Sequence, residues 1–328
     1  MDAVIAIGAS AGGVPALEKL MAGMPADLPA AIVLVLHVGA HESRLPAVLS
    51  RKTRLAVEHA EQGDALRAGC VHVAPPDHHM LVGPDGRIAL SRGPKEHYTR
   101  PAIDPLFRSV ALAYGPRAIG VILTGMLDDG TAGLQAIKQG GGLAVVQDPA
   151  DAAVPSMPAS AMAHVAVDHC APLQQLPDVL LALVAEQTRA RHDKEADMAS
   201  IKVEQELFCG EGDALELLRR IGEPSPFACP DCHGGLWRLR DVSPPRFRCH
   251  TGHAYSGRTL EHGYRLASDQ AEWNALRALQ EHAALVDQLL ADPTDGVAPA
   301  ERERLDRLRE KLRDQTAALR QIIEDPQD

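Results

Sequence analysis

Four side chains near the start of this sequence are of the kinds that perform acyl transfer. Ser10 stands in Gly8-Ala9-Ser10-Ala11-Gly12-Gly13, His37 closes the apolar run Ala31-Ile32-Val33-Leu34-Val35-Leu36, and Asp128-Asp129 follow Thr124-Gly125-Met126-Leu127. The serine lies in a Gly-x-Ser-x-Gly pattern, in which small neighbours let a strained turn push the hydroxyl out at the carboxyl edge of a sheet. The same turn suits two other roles. Its backbone N–H groups can cradle a phosphate at a helix N-terminus, or Ser10 can simply cap that helix. His37 has a plain reading as a strand-end histidine with a local hydrogen bond. Either aspartate has one as an N-cap worth roughly 1 kcal/mol. Together the residues favour a nucleophile, a base and an acid at the carboxyl ends of three strands, where doubly wound sheets build their sites. The chain order Ser-His-Asp is no obstacle, because a triad is defined by geometry and roles. A dinucleotide site would place an acid about 20 residues beyond its glycine turn; here the end of the second strand holds His37.

A second constellation lies late in the chain. Cys229-Pro230-Asp231-Cys232 and Cys249-His250-Thr251-Gly252-His253 give the spacing C-x2-C-x16-C-x3-H. Two turns bearing paired soft ligands, separated by a hairpin, assemble the tetrahedral site of a structural zinc ribbon. The expected ligands are Cys229, Cys232, Cys249 and His253, with His233 or His250 as neighbours to which the fourth position can slip and Cys209 as a weaker alternative. Four protein ligands leave no open position, so the expected zinc is structural and catalysis needs no cofactor.

The elements that must position these residues follow from hydrophobic patterning. Ala3-Val4-Ile5-Ala6-Ile7, residues 31–36, Ala118-Ile119-Gly120-Val121-Ile122-Leu123 and Leu143-Ala144-Val145-Val146-Gln147 are continuous apolar runs, as strands buried on both faces should be. Helices are expected from Val14, over 43–51, after Arg100-Pro101-Ala102-Ile103-Asp104, after Gly130 and over 173–191, with shorter strands near Val57 and Val71 and a hairpin over 81–90. The alternation predicts an α/β fold, a doubly wound, mostly parallel, Rossmann-like sheet. Residues 1–190 would form this domain, 191–223 a charged or helical linker, 224–258 the zinc-ribbon-like module and 259–328 a helical hairpin or coiled-coil arm. In that arm Leu276, Leu279, Ala283, Val286 and Leu290 step by three and four, as do Leu305, Leu308, Leu312, Leu319 and Ile322 around Gln315, with a break over 292–296. The arm is read either as a hairpin packing on itself or as a dimer or partner interface.

Composition narrows the function classes. A net charge of −11 and only 3% aromatic residues argue against a nucleic-acid binder. No apolar run approaches the roughly 18 residues of a membrane span, and no signal peptide is apparent. A cytoplasmic protein without membrane insertion is expected, and clustered cysteines in a reducing compartment point to metal rather than disulfides.

The glycine-rich serine turn, the strand ending at His37, Val71-His72-Val73-Ala74-Pro75-Pro76-Asp77-His78-His79-Met80, Arg100-Pro101-Ala102-Ile103-Asp104 with Leu106-Phe107, and Leu123-Thr124-Gly125-Met126 through Asp129-Gly130 resemble the catalytic domain of the chemotaxis methylesterase family, CheB. The resemblance covers about residues 1–184. It implies a doubly wound sheet and hydrolysis of glutamate γ-methyl esters on receptor signalling helices, in some members with glutamine deamidation. Carried over, Ser10 is the nucleophile, His37 the general base and acid, and Asp129, which directly precedes the glycine, orients the imidazole. Backbone N–H groups near Ala11 and Met126 are the oxyanion-hole candidates. The implied partner is a methylated receptor or another methylated signalling protein. Three departures bear on substrate fit: Ala11 in place of a hydroxyl residue, Val38-Gly39 in place of Met-Pro, and Leu127-Asp128 in place of Gly-Asn. Familiar members carry an N-terminal receiver domain; this sequence reads as a stand-alone form in which control by such a domain in cis is not expected. The alternative is a signalling adaptor that binds partners without catalysis.

Overall fold

The computed structural model describes residues 3–37, 42–189, 198–291 and 298–324. The Val38-Gly39 pair, the linker start near residue 191 and the break over 292–296 lie outside them. In chain order the first half runs β1 (Ala3–Ala9), α1 (Gly13–Ala22), β2 (Ala30–Leu36), α2 (Leu45–Leu49), β3 (Ala56–His59), β4 (Cys70–Val73), β5 (His79–Val82), β6 (Ile88–Ser91), α3 (Ile103–Tyr114), β7 (Ala118–Ile122), α4 (Thr131–Gln139), β8 (Leu143–Gln147), α5 (Ser156–His164), β9 (His169–Ala171) and α6 (Leu176–Arg189). Seven of these strands form one sheet in the order β3-β4-β2-β1-β7-β8-β9, every neighbouring pair parallel.

Every residue of β1 and β2 is buried, because helices cover both faces. The period-two alternation of a strand divides β1 between them. Ile5 and Ile7 join a core with Leu17 and Leu20 of α1 and Leu180 of α6, while Val4 and Ala6 join one with Phe107 of α3 and Leu134 of α4. Chain order reverses at β1, with β2 on one side and β7 on the other, which opens a crevice at their carboxyl ends.

Two helices are shorter than their patterns suggest. The second is confined to Leu45–Leu49, and α6 begins at Leu176, where Pro177 suits a first turn whose N–H groups need no partner. α5 gives no signal in the sequence, since Ser156-Met157-Pro158-Ala159-Ser160 is a run of small residues without an apolar stripe.

Beyond this sheet come α7 (Ala199–Cys209), α8 (Ala214–Ile221), β10 (Gly222–Ala228), β11 (Gly235–Leu239), β12 (Arg246–Cys249), β13 (Ala254–Ser256), α9 (Gly257–Ala291) and α10 (Pro299–Glu324). The stretch expected as a linker thus holds two helices, which pack Val203, Leu207, Leu217, Leu218 and Ile221 against Leu239 of β11. β10–β13 form an antiparallel sheet of four strands. The chain divides into two compact units, Met1–Leu260 and Glu261–Asp328, so these helices and strands share a unit with the parallel sheet.

A buried ion network fastens them to it. Arg108 of α3 donates to Glu96 at 2.9 Å and to Glu204 of α7 at 3.3 Å; Arg248 of β12 donates to Glu96 at 2.6 Å and to Glu204 at 3.0 Å. Arg246 adds a bond of 3.0 Å to Glu204. Three guanidiniums thus share two carboxylates, with Arg246 Nε and Arg248 Nε buried and unpartnered, so removing either carboxylate is costly.

In the second unit Val286, Leu305 and Leu312 form a small core with Leu279, Ala283, Leu290 and Leu308, while Arg309 and Arg313 stand 4.0 and 3.8 Å from Asp287. Of the expected apolar positions, Leu276 is buried and Ile322 is exposed. Among the described residues no helix is long and apolar enough to cross a membrane.

Candidate active site

β1 ends directly in the turn that carries Ser10. Gly12 takes φ 76°, a left-handed conformation, and a Cβ there would lie 2.8 Å from that of Ala153. Gly125 allows another close approach, since a Cβ on it would stand 2.9 Å from Ser10 Cβ and collide with Met157. The turn is tied to the loop after β7 by Ser10 N–H donating to Thr124 O at 3.0 Å and Thr124 Oγ1 donating to Ala11 O at 2.9 Å. At the end of β2, His37 N–H donates to Ala9 O at 3.2 Å, which sets the imidazole beside the serine.

The side chains then line up. Ser10 Oγ donates to His37 Nδ1 at 3.1 Å, and His37 Nε2–H donates to Asp129 Oδ2 at 2.8 Å. Asp129 is buried and His37 nearly so, while Ser10 keeps partial exposure. The aspartate next to a helix does not cap that helix: α4 has Gly130 at its N-cap and no side-chain bond. Asp129 instead caps α3 from a distance, accepting Ile103 N–H at 2.7 Å on Oδ2 and Asp104 N–H at 3.0 Å on Oδ1. Burial would raise its pKa, but bonds from His37 and Ile103 and the nearby imidazole of His97 hold its carboxyl below the usual value. It therefore stays an anion, able to fix the His37 tautomer. Asp128 has a different partner, accepting from Ser256 Oγ at 2.8 Å.

Leu127, where the family resemblance favours glycine, has φ 60°. A left-handed leucine costs roughly 1–2 kcal/mol. Beside it Met126 leaves its side chain 60% exposed.

The Cys229, Cys232, Cys249 and His253 ligand atoms all lie within 4.8 Å of one another. The separations are 3.7 Å between Cys232 Sγ and Cys249 Sγ, and 3.7 and 3.6 Å from His253 Nδ1 to Cys229 Sγ and Cys249 Sγ. A tetrahedral ion about 2.3 Å from sulfur and about 2.0 Å from nitrogen spaces its ligands about 3.8 Å apart for two sulfurs and about 3.5 Å for sulfur and nitrogen. The donor set fits such an ion. Tyr255 OH lies 3.1 Å from Cys229 Sγ and donates to Asp231 at 2.7 Å. Cys209 is exposed at the end of α7.

Sequence reasoning did not single out His97, Ser256 or Thr259, and it placed Asp104 only in the motif that opens α3. His97 Nε2–H donates to Asp104 Oδ2 at 2.9 Å and lies 3.8 Å from Asp129 Oδ1. Its Nδ1 is 3.2 Å from Thr259 Oγ1, across 162 positions of sequence. No spacing could have revealed that pairing.

The sequence profile of the CheB methylesterase family matches residues 5–180. This chain belongs to the CheB methylesterase family. A Leptospira interrogans relative is 37% identical over 180 residues, 55% of this chain and 93% of its own. The protein-glutamate methylesterase/protein-glutamine glutaminase 3 of Burkholderia orbicola is 43% identical over 183 residues, which span 56% of this chain and 54% of that one. The corresponding enzyme 2 of Methanosarcina mazei is 40% identical over 190 residues, covering 55% and 52%. In structure, the Thermotoga maritima CheB methylesterase catalytic domain superposes with a TM-score of 0.54 at 32% identity, covering 56% of this chain and 98% of that domain. All these matches span little more than half of this chain, so the CheB likeness bears on the parallel-sheet half.

Proposed function

We propose that this chain hydrolyses glutamate γ-methyl esters on a methylated signalling protein, such as a chemotaxis receptor, and deamidates glutamine by the same route. The observation that carries the reading is the continuous pair of bonds from Ser10 through His37 to Asp129, at 3.1 and 2.8 Å. In this reading His37 Nδ1 takes the Ser10 proton as Oγ bonds to the ester carbonyl carbon. The proton then passes to the departing methoxide, so methanol leaves and a Ser10 acyl-enzyme remains. Water attacks that acyl group, giving a proton to Nδ1, and the carboxylate is released as Ser10 recovers its hydrogen. Glutamine would lose ammonia in place of methanol. The N–H groups of Ala11 and Met126 are the oxyanion donors in this reading, each worth roughly 3–4 kcal/mol in the transition state.

The test is a fluorophosphonate probe on the full chain, mapped by mass spectrometry, beside methanol release from a methylated receptor fragment. Labelling at Ser10 that disappears in His37→Ala, together with methanol release, is the expected result. An unlabelled Ser10 in folded protein would overturn the reading and favour the adaptor.

We further infer that Cys229, Cys232, Cys249 and His253 bind one structural zinc ion. The supporting observation is the match of their spacing to tetrahedral edges. Elemental analysis of purified protein should give one zinc per chain, and the cobalt-substituted form should show thiolate charge-transfer bands that weaken in Cys232→Ser. Protein purified without any metal, with the thiols of Cys229, Cys232 and Cys249 freely reactive, would contradict it.

A further inference from the structure

The residues 96–99 pass close to the catalytic centre in a conformation they would not adopt alone. His97 and Tyr98 have φ 52° and 62°, two left-handed non-glycine residues in succession. Such conformations cost about 1–3 kcal/mol each and persist only where the surroundings over-determine them. Here the surroundings come from the late part of the chain. His97 N–H donates to Ala254 O at 2.9 Å, Arg248 holds the Glu96 carboxylate, and Arg108 holds it from α3.

The imidazole so placed touches both carboxylates beneath the triad. Nε2–H points to Asp104 Oδ2 at 2.9 Å with Asp129 Oδ1 at 3.8 Å. On the other side, Thr259 Oγ1 accepts Ser256 N–H at 2.8 Å and has the Ser256 carbonyl, 3.2 Å away, as an acceptor for its own proton. In that arrangement its oxygen can accept from His97 Nδ1–H, and with Nε2–H on Asp104 the ring carries hydrogen on both nitrogens, an imidazolium beside two carboxylates. Burial opposes that charge, yet Asp104 and Asp129, with Asp128 further out, raise its pKa to about 10.

We propose that His97 is a positioning residue for the esterase, holding Asp129 in place and ionised, and that the late residues Ser256 and Thr259 complete the active site by fixing His97 and Asp128. The proposal rests on the reaction inferred above and adds to it a part of the chain outside the family match, which ends at residue 180. Neither group touches the ester. Their effect reaches the reacting atoms through Asp129 and His37.

The charged groups around His97 set the sign. Asp104 faces it from α3, Asp128 and Asp129 from the loop before α4, Glu96 adjoins it in the chain, and Glu204 of α7 and Arg246 of β12 line the same small cavity. Arg248 approaches from β12 through Glu96, and His37 lies across Asp129. With a neutral side chain at position 97 the site loses one positive charge next to the Asp129–His37 pair. The acid limb of kcat/KM then moves to higher pH by about 1 unit. A residue that only supports the fold would change the amplitude and leave the limb where it is.

The experiment compares the full chain with His97→Gln and Thr259→Val, recording kcat and KM for methyl-ester hydrolysis across pH and the rate of fluorophosphonate capture at Ser10. Expected for His97→Gln is the upward limb shift with kcat lowered about 10²-fold, as small misplacements of catalytic groups produce, at nearly constant KM. Thr259→Val, which keeps shape and removes the acceptor of Nδ1–H, shifts the limb the same way by less. If His97→Gln fails to fold, the Thr259→Val profile decides. Either folded variant with the wild-type limb and kcat overturns the role of the residue changed. A wild-type chain that neither captures the probe nor hydrolyses the ester overturns the reaction itself, and with it this role.

Discussion

Ser10→Ala lowers kcat for ester hydrolysis by about 10⁶-fold, the scale seen when the nucleophile of a serine triad is removed. At 1.36 kcal/mol per tenfold that is about 8 kcal/mol of transition-state stabilisation. The loss is all chemistry, because Ser10 is partly exposed and its backbone, not its side chain, ties the turn to Thr124. Melting temperature should not move. Asp129→Asn gives the informative contrast. The amide leaves the geometry intact but presents the wrong hydrogen-bonding partner to His37 Nε2, a change worth about 10⁴-fold where it has been measured in a serine triad. Unlike the serine change, it also weakens the cap on α3 that Asp129 supplies through Ile103 and Asp104 N–H, at roughly 1 kcal/mol. Steady-state kinetics and thermal melts on the three proteins check both halves. A Ser10→Ala protein retaining more than a hundredth of the activity would refute the assignment.

Glu204→Ala has the largest expected effect on stability. Glu204 is 5% exposed and accepts from Arg246, Arg248 and Arg108, so its removal leaves three guanidiniums to Glu96 alone. Breaking a buried pair in this way costs about 3–5 kcal/mol, or roughly 10 °C in melting temperature for a unit of this size. The same group sets an acid limit. Burial opposes its charge, but Arg246, Arg108 and Arg248 outweigh burial and lower its pKa from 4.5 to about 2. A depressed carboxylate pKa stabilises the fold fully above the unfolded value. That contribution is lost as pH falls from about 4.5 toward about 2. His97 has the opposite sign. Its pKa is raised from 6.5 to about 10, so its contribution is complete below 6.5 and declines as pH climbs toward 10. Thermal melts across pH should therefore peak between about 4.5 and 6.5. Glu204→Ala should flatten the acid side alone; an unchanged acid side would show that the network carries no net linkage.

What the sequence reveals and what it conceals differ by the range of the signal. β1, β2 and β7 are legible because burial on both faces writes an unbroken apolar run into the chain. Ser10 and His37 are legible because each follows such a run directly, and the cysteine spacing is short enough to see. Asp129 was separable from Asp128 only through the family resemblance; physically the two differ in which distant groups they meet, Ile103 and His37 for one, Ser256 for the other. For 191–223 the sequence allows helix without bounding α7 and α8, since their apolar residues are matched to Leu239 of β11 rather than to a partner within the stretch. Glu96, Arg108, Glu204 and Arg248 read individually as solvated charges. Their burial exists only once four separate elements meet, and nothing local records it.

The distance between His97 and Thr259 also bears on how the protein is made. Contacts spanning 162 and 152 positions close late, because chain entropy must be spent before such partners meet. A ribosome that has delivered residues 1–189 has already released Ser10, His37 and Asp129, but neither Thr259 nor Arg248. With His97 in the role proposed above, that nascent chain carries a triad whose aspartate is not yet braced. Hydrolytic competence is then acquired once Thr259 and Arg248 have emerged rather than when the catalytic half does, so a chain abandoned before them is a weak esterase.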